Sequence, residues 1–279
     1  MTETNMLRQL FLERRNGRKA IPAFNYSDMW DLKAIAETAA KTGEAVLVAS
    51  NPLVADMIGV GLCQAMVEAL KAQTGARMFN HLDHSSTVEL CIKAIDVGYP
   101  SVMIDGSAFD LETNIRMVKE VVTYASGKGV VVEAEIGKIK GRGAEGGSQD
   151  EDFLARVEDA IELVRKTRVD TLAVGIGTAH GFYASKPEIN FDRLGEIAAA
   201  IPNPLVLHGG TGIPDADIRK AISLGIAKVN VGTMIHCAYM NAVADALRKA
   251  GQNPYTLDIM RTVLPKVKEV LEDRIRAIV

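Results

Sequence analysis

The sequence lacks the features that would assign it to a membrane or to nucleic acid. Its formal net charge is only −3 over 279 residues, so it has no basic excess for binding nucleic acid or an anionic membrane. No apolar run approaches the roughly 20 residues of a membrane span, and the polar segment 1–18 has no apolar centre like that of a signal peptide. We therefore expect a cytoplasmic protein.

Cysteine is also scarce. The three cysteines, Cys63, Cys91 and Cys237, are an odd number at wide spacings, which argues against a disulfide framework and against a metal site built from thiolates. We expect them to be small buried hydrophobic side chains. No low-complexity segment, charge block or linker interrupts the chain, and this indicates a single domain over residues 1–279.

The chain contains a regular alternation of short apolar strands and amphipathic helices. The predicted strands cover residues 19–24, 44–49, 76–79, 100–104, 130–136, 170–175, 204–207 and 227–231. A helix follows each strand, including one predicted over 152–167, and helices continue from Ile235 to the end. Eight strand-then-helix units predict a (β/α)8 TIM barrel with additional C-terminal helices. A doubly wound open sheet is the alternative.

Residues 80–85, Asn-His-Leu-Asp-His-Ser, form a polar cluster where an apolar strand stops. Two imidazoles and a carboxylate so close together suit metal binding with an acid/base beside it; the alternative is a hydrogen-bonded turn with a capping Asp. Strand alternation turns His81 and Asp83 to one face, and Leu82 and His84 to the other unless the strand ends at Asp83. The residues after the cluster, 85–89, indicate a capped helix start.

Four of the five histidines share this position at the end of a strand. His81, His84, His180 and His208 end strands three, six and seven, whereas His236 lies in the helix after strand eight and is expected to be an ordinary structural histidine. The carboxyl ends of barrel strands meet at one mouth. Imidazoles converging there predict a metal site with three protein ligands and open positions for substrate, as Zn²⁺ favours.

Glycine-rich turns follow the last three strands, at residues 177–181, 208–212 and 230–233. Small residues let backbone N–H groups approach an anion, and threonine hydroxyls add donors. Glycine also serves tight turns, but three such turns beside two histidines favour a phosphate site.

Together these motifs resemble the class II, metal-dependent ketose-bisphosphate aldolases of the fructose and tagatose type. The resemblance rests on the His-Leu-Asp-His block, residues 132–137, the Gly-Thr-Ala-His-Gly and His-Gly-Gly-Thr-Gly turns, and residues 228–231. It implies a Zn²⁺ enzyme that reversibly cleaves a ketose 1-phosphate or 1,6-bisphosphate to dihydroxyacetone phosphate and an aldehyde. It also implies a monovalent cation near the phosphate, and a homodimer or homotetramer. From their position in the chain alone, we expect the C-terminal helices, residues 235–279, to form the assembly surface.

The resemblance assigns roles to individual residues. His84, His180 and His208 would hold the metal, and Asp83 would be the acid/base that protonates the departing aldehyde oxygen. Asp105 and Glu135 would lie beside the metal, as partners of its ligands or as ligands in an alternative position. The residues implied around the dihydroxyacetone phosphate end are Asn25, Ser50, Gly181, Gly209, Thr211, Asn230 and Thr233.

The sequence departs from the family pattern at three places. Gly143 stands where relatives carry a loop glutamate that exchanges the substrate proton, so Glu145 is the predicted replacement. Gly232 replaces an Asp typical of fructose-bisphosphate enzymes, which favours a tagatose-type substrate. Val270 stands where some relatives have an arginine for the distal phosphate; a distal phosphate, carboxylate or sulfonate would instead meet the loop cations Lys138, Lys140 and Arg142.

Two other functions remain as rivals. One is a different metal-dependent barrel enzyme, such as a sugar isomerase or hydrolase; the other is a phosphosugar-binding subunit without activity. A Schiff-base aldolase would need a lysine at a strand end in the mouth, and Lys228 lies at the start of strand eight.

Overall fold

A computed structural model describes residues 3–139, 153–183 and 187–279. The strands are β1 Ile21–Asn25, β2 Val46–Ser50, β3 Met78–Ser85, β4 Ser101–Ile104, β5 Val131–Ile136, β6 Thr171–Val174, β7 Leu205–Leu207 and β8 Ile226–Val231. The helices are α1 Glu3–Asn16, α2 Met29–Thr42, α3 Pro52–Ile58, α4 Val60–Thr74, α5 Val88–Asp96, α6 Leu111–Ser126, α7 Val157–Thr167, α8 Phe191–Ala200, α9 Asp215–Ser223, α10 Thr233–Ala250 and α11 Thr256–Ile278.

The eight strands close into a barrel in sequence order. Every neighbouring pair is parallel, and closure comes from β1, which pairs with β2 on one side and with β8 on the other. A doubly wound open sheet has two free edges, so this pairing excludes it. The predicted (β/α)8 barrel is confirmed, with α10 and α11 as its C-terminal helices.

The strands are rich in apolar residues, as is typical of parallel strands that are covered on both faces. Side chains such as Leu82 and Val102 face outward and pack in the large layer between strands and helices. At the N-terminal end of the barrel, Leu7 and Phe11 of α1 pack against inward-facing side chains that include Phe79. Helix α1 therefore closes the bottom of the barrel and leaves the C-terminal mouth as its open end.

The structure differs from the sequence-based expectation at three places. Helix α3 was not predicted; it begins with Pro52 after an Asn51 cap that accepts from the Val54 N–H. Helix α7 begins at Val157, five residues later than predicted. Strand β3 continues through the polar cluster to Ser85, and a register shift together with a left-handed φ of 50° at His84 turns that side chain to the mouth. The cap predicted before α5 is Thr87, which accepts from the Leu90 N–H.

Within the described ranges, no single helix has the length and apolarity needed to cross a membrane. One strongly bent pair, α3 with α4, passes that test by length and composition only.

Candidate metal and substrate site

Three histidines from three different strand ends come together at the mouth of the barrel. The ring centroids of His84 and His208 are 4.4 Å apart, and those of His84 and His180 are 4.8 Å apart. Each ring offers a nitrogen within 4.8 Å of a nitrogen on the others. The convergence predicted from strand-end positions is therefore present for these three histidines but not for His81, which does not line the cavity and bonds to Ser101 and Lys228.

Two of these imidazoles are oriented by carboxylates. His208 Nε2 lies 2.9 Å from Glu133 Oε1, and His84 Nδ1 lies 2.9 Å from Asp105 Oδ2. A ring nitrogen that donates to a carboxylate leaves the other nitrogen as a lone-pair acceptor, the arrangement common for metal-binding histidines. Those other nitrogens, His208 Nδ1 and His84 Nε2, are buried and have no hydrogen-bond partner. The donor set thus fits a metal ion held by His84, His180 and His208.

The electrostatics of the cluster also favour a cation. Although burial lowers the pKa of His84, the charge of Asp83 and the hydrogen bond to Asp105 raise it to about 10. These carboxylates thus draw positive charge to the ring, and a metal ion at Nε2 would take the place of the proton that this nitrogen otherwise holds. Glu135, whose Oε2 lies 3.8 Å from His84 Nδ1, is buried without a partner on that oxygen. Burial, and then the charge of Asp105, raise the pKa of Glu135 to about 8. His84, Asp105 and Glu135 form a second group that could hold a metal ion.

Asp83 is held at the mouth by two amide donors. Asn25 Nδ2 donates to its Oδ2 at 2.8 Å, and Asn230 Nδ2 donates to its Oδ1 at 3.1 Å. Burial opposes ionisation, but positive charge on His84 and its neighbours keeps the pKa of Asp83 below its usual range. An ionised carboxylate accepts a proton, so the geometry suits a base in the cleavage direction. Donation to the aldehyde oxygen, as predicted from the sequence, belongs to the reverse direction.

A buried ionic network beneath the mouth was missed by the sequence analysis. Lys228 is completely buried, and its Nζ lies 2.7 Å from Glu133 Oε2 and 3.1 Å from His81 Nε2. His81 Nδ1 is 2.8 Å from Ser101 Oγ. Since Nε2 accepts from the lysine, Nδ1 is the protonated nitrogen and donates to Ser101. Glu133 thus links Lys228 to His208. The sequence did contain one sign of this role: Glu133 stands two residues before Glu135 and therefore on the same face of β5.

The loops that carry His180 and His208 are joined to each other. Gly209 has a φ of 70°, and a Cβ there would collide with the carbonyl oxygen of Ala179. The Tyr183 hydroxyl accepts from the Ala179 N–H and donates to the Gly209 carbonyl, both at 2.9 Å. We call this contact the β6–β7 clasp. It requires glycine at 209 and sets the spacing of the two loops.

The predicted phosphate-binding residues lie around one cavity of about 950 Å³, with one exception. Asn25, Gly181, Gly209, Thr211, Asn230 and Thr233 line it, together with Asp83, Asp105, Glu135 and the three clustered histidines. Ser50 does not line it: it is buried and hydrogen-bonded to the Tyr99 hydroxyl at 3.0 Å. Gly232 lines it too, and a Cβ there would lie 2.8 Å from Asn25 Oδ1.

The remaining predicted residues are placed as follows. Lys138 is described but does not line the cavity, whereas its neighbour Ile139 does. Lys140, Arg142, Gly143 and Glu145 lie outside the described residues, so their roles stay predictions. His236 lies in the helix after strand eight, as predicted, and its side chain also lines the cavity. Cys63 and Cys91 are buried, Cys237 is half-buried, and all three are free thiols.

A (β/α)8 barrel with titratable side chains gathered at the C-terminal ends of its strands is an enzyme architecture. The model of the family described as "Fructose-bisphosphate aldolase class-II" matches residues 5–279, so the chain belongs to the class II fructose-bisphosphate aldolase family. It is an aldolase, a lyase that acts on a carbon–carbon bond.

Individual aldolases are similar to this chain in sequence and in fold. The 6-phospho-5-dehydro-2-deoxy-D-gluconate aldolase of Halalkalibacterium halodurans is 35% identical over 278 residues, covering 94% of each chain. The YdjI aldolase from Escherichia coli K12 has 30% sequence identity to this chain. Its crystal structure matches with a TM-score of 0.82, covering 98% of this chain and 96% of that one. Fructose-bisphosphate aldolase from Campylobacter jejuni, 19% identical with a TM-score of 0.86 over 100% and 95% of the two chains, shows the fold alone.

Proposed function

We propose that this aldolase is metal-dependent, with Zn²⁺ at His84, His180 and His208, and that it reversibly cleaves a ketose 1-phosphate or 1,6-bisphosphate to dihydroxyacetone phosphate and an aldehyde. The observation that carries the proposal is the pair of buried ring nitrogens without partners, on His84 and His208, in imidazoles oriented by Asp105 and Glu133. Three protein ligands with open positions are typical of catalytic zinc.

The side chains have distinct tasks in this reaction. When bound, the metal supplies a Lewis acid that stabilises the negative charge left on the ketone half of the substrate. Asp83, ionised and fixed by Asn25 and Asn230, takes the proton of the hydroxyl on the carbon that becomes the aldehyde. The electron pair of the breaking carbon–carbon bond stays with the ketone half, and a proton added to that carbon completes dihydroxyacetone phosphate. We assign that last transfer to Glu145.

The phosphate end is proposed to lie at the turns after β6, β7 and β8. Gly181, Gly209, Thr211, Asn230 and Thr233 line this side of the cavity, which also faces the start of α10. No side chain caps that helix, and the N-terminal end of a helix attracts anions. A monovalent cation beside the phosphate is part of the same proposal.

The cavity also has apolar lining. Leu53, Val54, Met57 and Ile58 of α3 line it together with Ile139. This wall favours substrates with a deoxygenated carbon, such as the sugar acid phosphate for which the Halalkalibacterium halodurans relative is named. Lys140 and Arg142 are proposed to meet a distal carboxylate, phosphate or sulfonate; Lys138, which does not line the cavity, is not included.

Release of dihydroxyacetone phosphate from a panel of phosphorylated ketoses tests the proposal. The panel contains ketose 1-phosphates, fructose and tagatose 1,6-bisphosphates, and 6-phospho-5-dehydro-2-deoxygluconate. Each is assayed before chelation, after chelation, and after Zn²⁺ is restored, with metal content measured in parallel. We expect release that chelation abolishes and Zn²⁺ restores. No release from any member by zinc-loaded protein would contradict the proposed substrate class.

A further inference from the structure

The cavity is rich in acidic groups and poor in basic ones. Asp83, Asp105 and Glu135 line it, and within the described ranges no lysine or arginine does. A phosphate monoester brings about −1.5 to −2 charges at pH 7. Since carboxylates repel such a ligand, its phosphate needs positive charge at the end of the cavity where it binds.

One histidine of the cavity wall lies outside the metal cluster. His236 stands in the first turn of α10, three residues after Thr233, and both side chains line the cavity. Residues three apart share a face of a helix, so the imidazole and the threonine hydroxyl border the same region. Among the described lining residues outside the metal cluster, His236 is the side chain that can become cationic.

The structure holds this ring in the cavity wall. His236 Nδ1 lies 2.8 Å from Ser27 Oγ, and Ser27, which follows β1, lines the same cavity. The same nitrogen lies 3.9 Å from Oδ2 of Asp31, a completely buried carboxyl at the start of α2. Burial raises the pKa of Asp31 to about 7, and it is the ionised form of this carboxyl that favours a protonated imidazole. Position and surroundings therefore both suit a cationic ring beside Thr233.

We infer that His236, positioned by Ser27, binds the phosphate group of the substrate and adds positive charge at that end, where no lysine or arginine of the described ranges lines the cavity. This rests on the proposed function, because it takes the phosphate to lie at the turns after β7 and β8. It adds a specificity-determining side chain that selects phosphorylated over uncharged ketones.

A purely structural role for His236 makes a different prediction. Tyr239, on the same helix, also joins α10 to the loop after β1, since its hydroxyl donates to Asp28 Oδ2 at 2.9 Å. Tyr239 does not line the cavity. Tyr239→Phe is therefore a matched control: it removes a comparable bond between α10 and that loop without touching the proposed phosphate site.

The experiment compares zinc-loaded wild type with His236→Gln, His236→Lys, Ser27→Ala and Tyr239→Phe. Inhibition constants are measured for inorganic phosphate and for uncharged dihydroxyacetone, and the phosphate-induced shift in Tm is recorded for each protein. We expect His236→Gln to weaken phosphate inhibition about 10- to 100-fold, the worth of a hydrogen bond to a charged group. Inhibition by dihydroxyacetone should stay unchanged. His236→Lys should retain phosphate binding, Ser27→Ala should weaken it less than His236→Gln does, and Tyr239→Phe should match wild type.

The outcomes separate this inference from the proposed function. If wild type releases dihydroxyacetone phosphate but His236→Gln binds phosphate as wild type does, the inference is overturned and the function stands. Equal weakening in His236→Gln and Tyr239→Phe also overturns it, by indicating a structural tether. If wild type cleaves no ketose phosphate yet phosphate raises its Tm and that shift is lost in His236→Gln, the function fails and the anion site is supported.

Discussion

Along β3 the inward-facing side chains change from Phe79 near the bottom of the barrel to His81 and then Asp83 near the mouth. Along β5 they change from Val131 to Glu133 and then Glu135. The bottom is closed by apolar contacts with α1, whereas the same strands hold buried ions a few residues later. Apolar burial is favourable without any specific partner, but a buried charge is tolerated only when it is paired. The two ends should therefore respond differently to substitution.

At the mouth, the largest expected effect is on catalysis. Asp83→Asn should lower kcat by about 10²- to 10⁴-fold, the usual worth of a placed general base, because a neutral amide cannot take the substrate proton. Steady-state cleavage and thermal unfolding should be measured on the same preparation. A variant within about tenfold of wild-type kcat would show that Asp83 is not the base.

Just below the mouth, the expected effect is on stability. Lys228→Met should lower the free energy of unfolding by about 3–5 kcal/mol, because it leaves Glu133 charged and unpaired in the interior. Adding Glu133→Gln should recover much of that loss, since the pair is then neutral. Urea unfolding of the wild type, both single variants and the double variant measures this coupling. Strict additivity would contradict the network.

At the bottom of the barrel, the expected effect is smaller and is separate from function. Leu7→Ala should cost about 2–5 kcal/mol of unfolding free energy, from lost burial and a residual cavity. It should leave the kcat/KM of folded enzyme unchanged, because Leu7 packs at the end opposite the metal cluster. A matching fall in kcat/KM would show that the two ends are coupled.

The sequence predicted the barrel and part of the site at its mouth, and it missed residues that enter the site from elsewhere. The barrel followed from the repeated strand-then-helix pattern. The rule that barrel sites gather at strand ends pointed to His81, His84, His180 and His208, and it was the family resemblance that selected His84, His180, His208 and Asp83 from the residues at strand ends. That rule cannot find His236, because His236 follows a strand end by a helical turn and enters the cavity only through the packing of α10. Nor did it find Lys228, whose long side chain reaches Glu133 from a lower position on β8.

Local conformation limited other predictions. Strand alternation alone would turn His84 away from Asp83, and only a left-handed backbone at that residue brings both to the cavity. Ser50 had the right position at a strand end, yet its hydroxyl is bonded to Tyr99 and buried away from the cavity. Such outcomes depend on individual φ angles and on partners far apart in the chain, neither of which a periodic pattern contains.

The β6–β7 clasp has a consequence for the rate at which the centre exchanges its metal. Ala179 and Gly209 stand directly before His180 and directly after His208, and Tyr183 bonds to both. Two of the three proposed metal ligands therefore lie on loops that are hydrogen-bonded to each other. Because moving the loop after β6 would strain the loop after β7, and the reverse, the two loops should move together. A bound ion should therefore dissociate in one cooperative step, and not by losing its ligands one at a time.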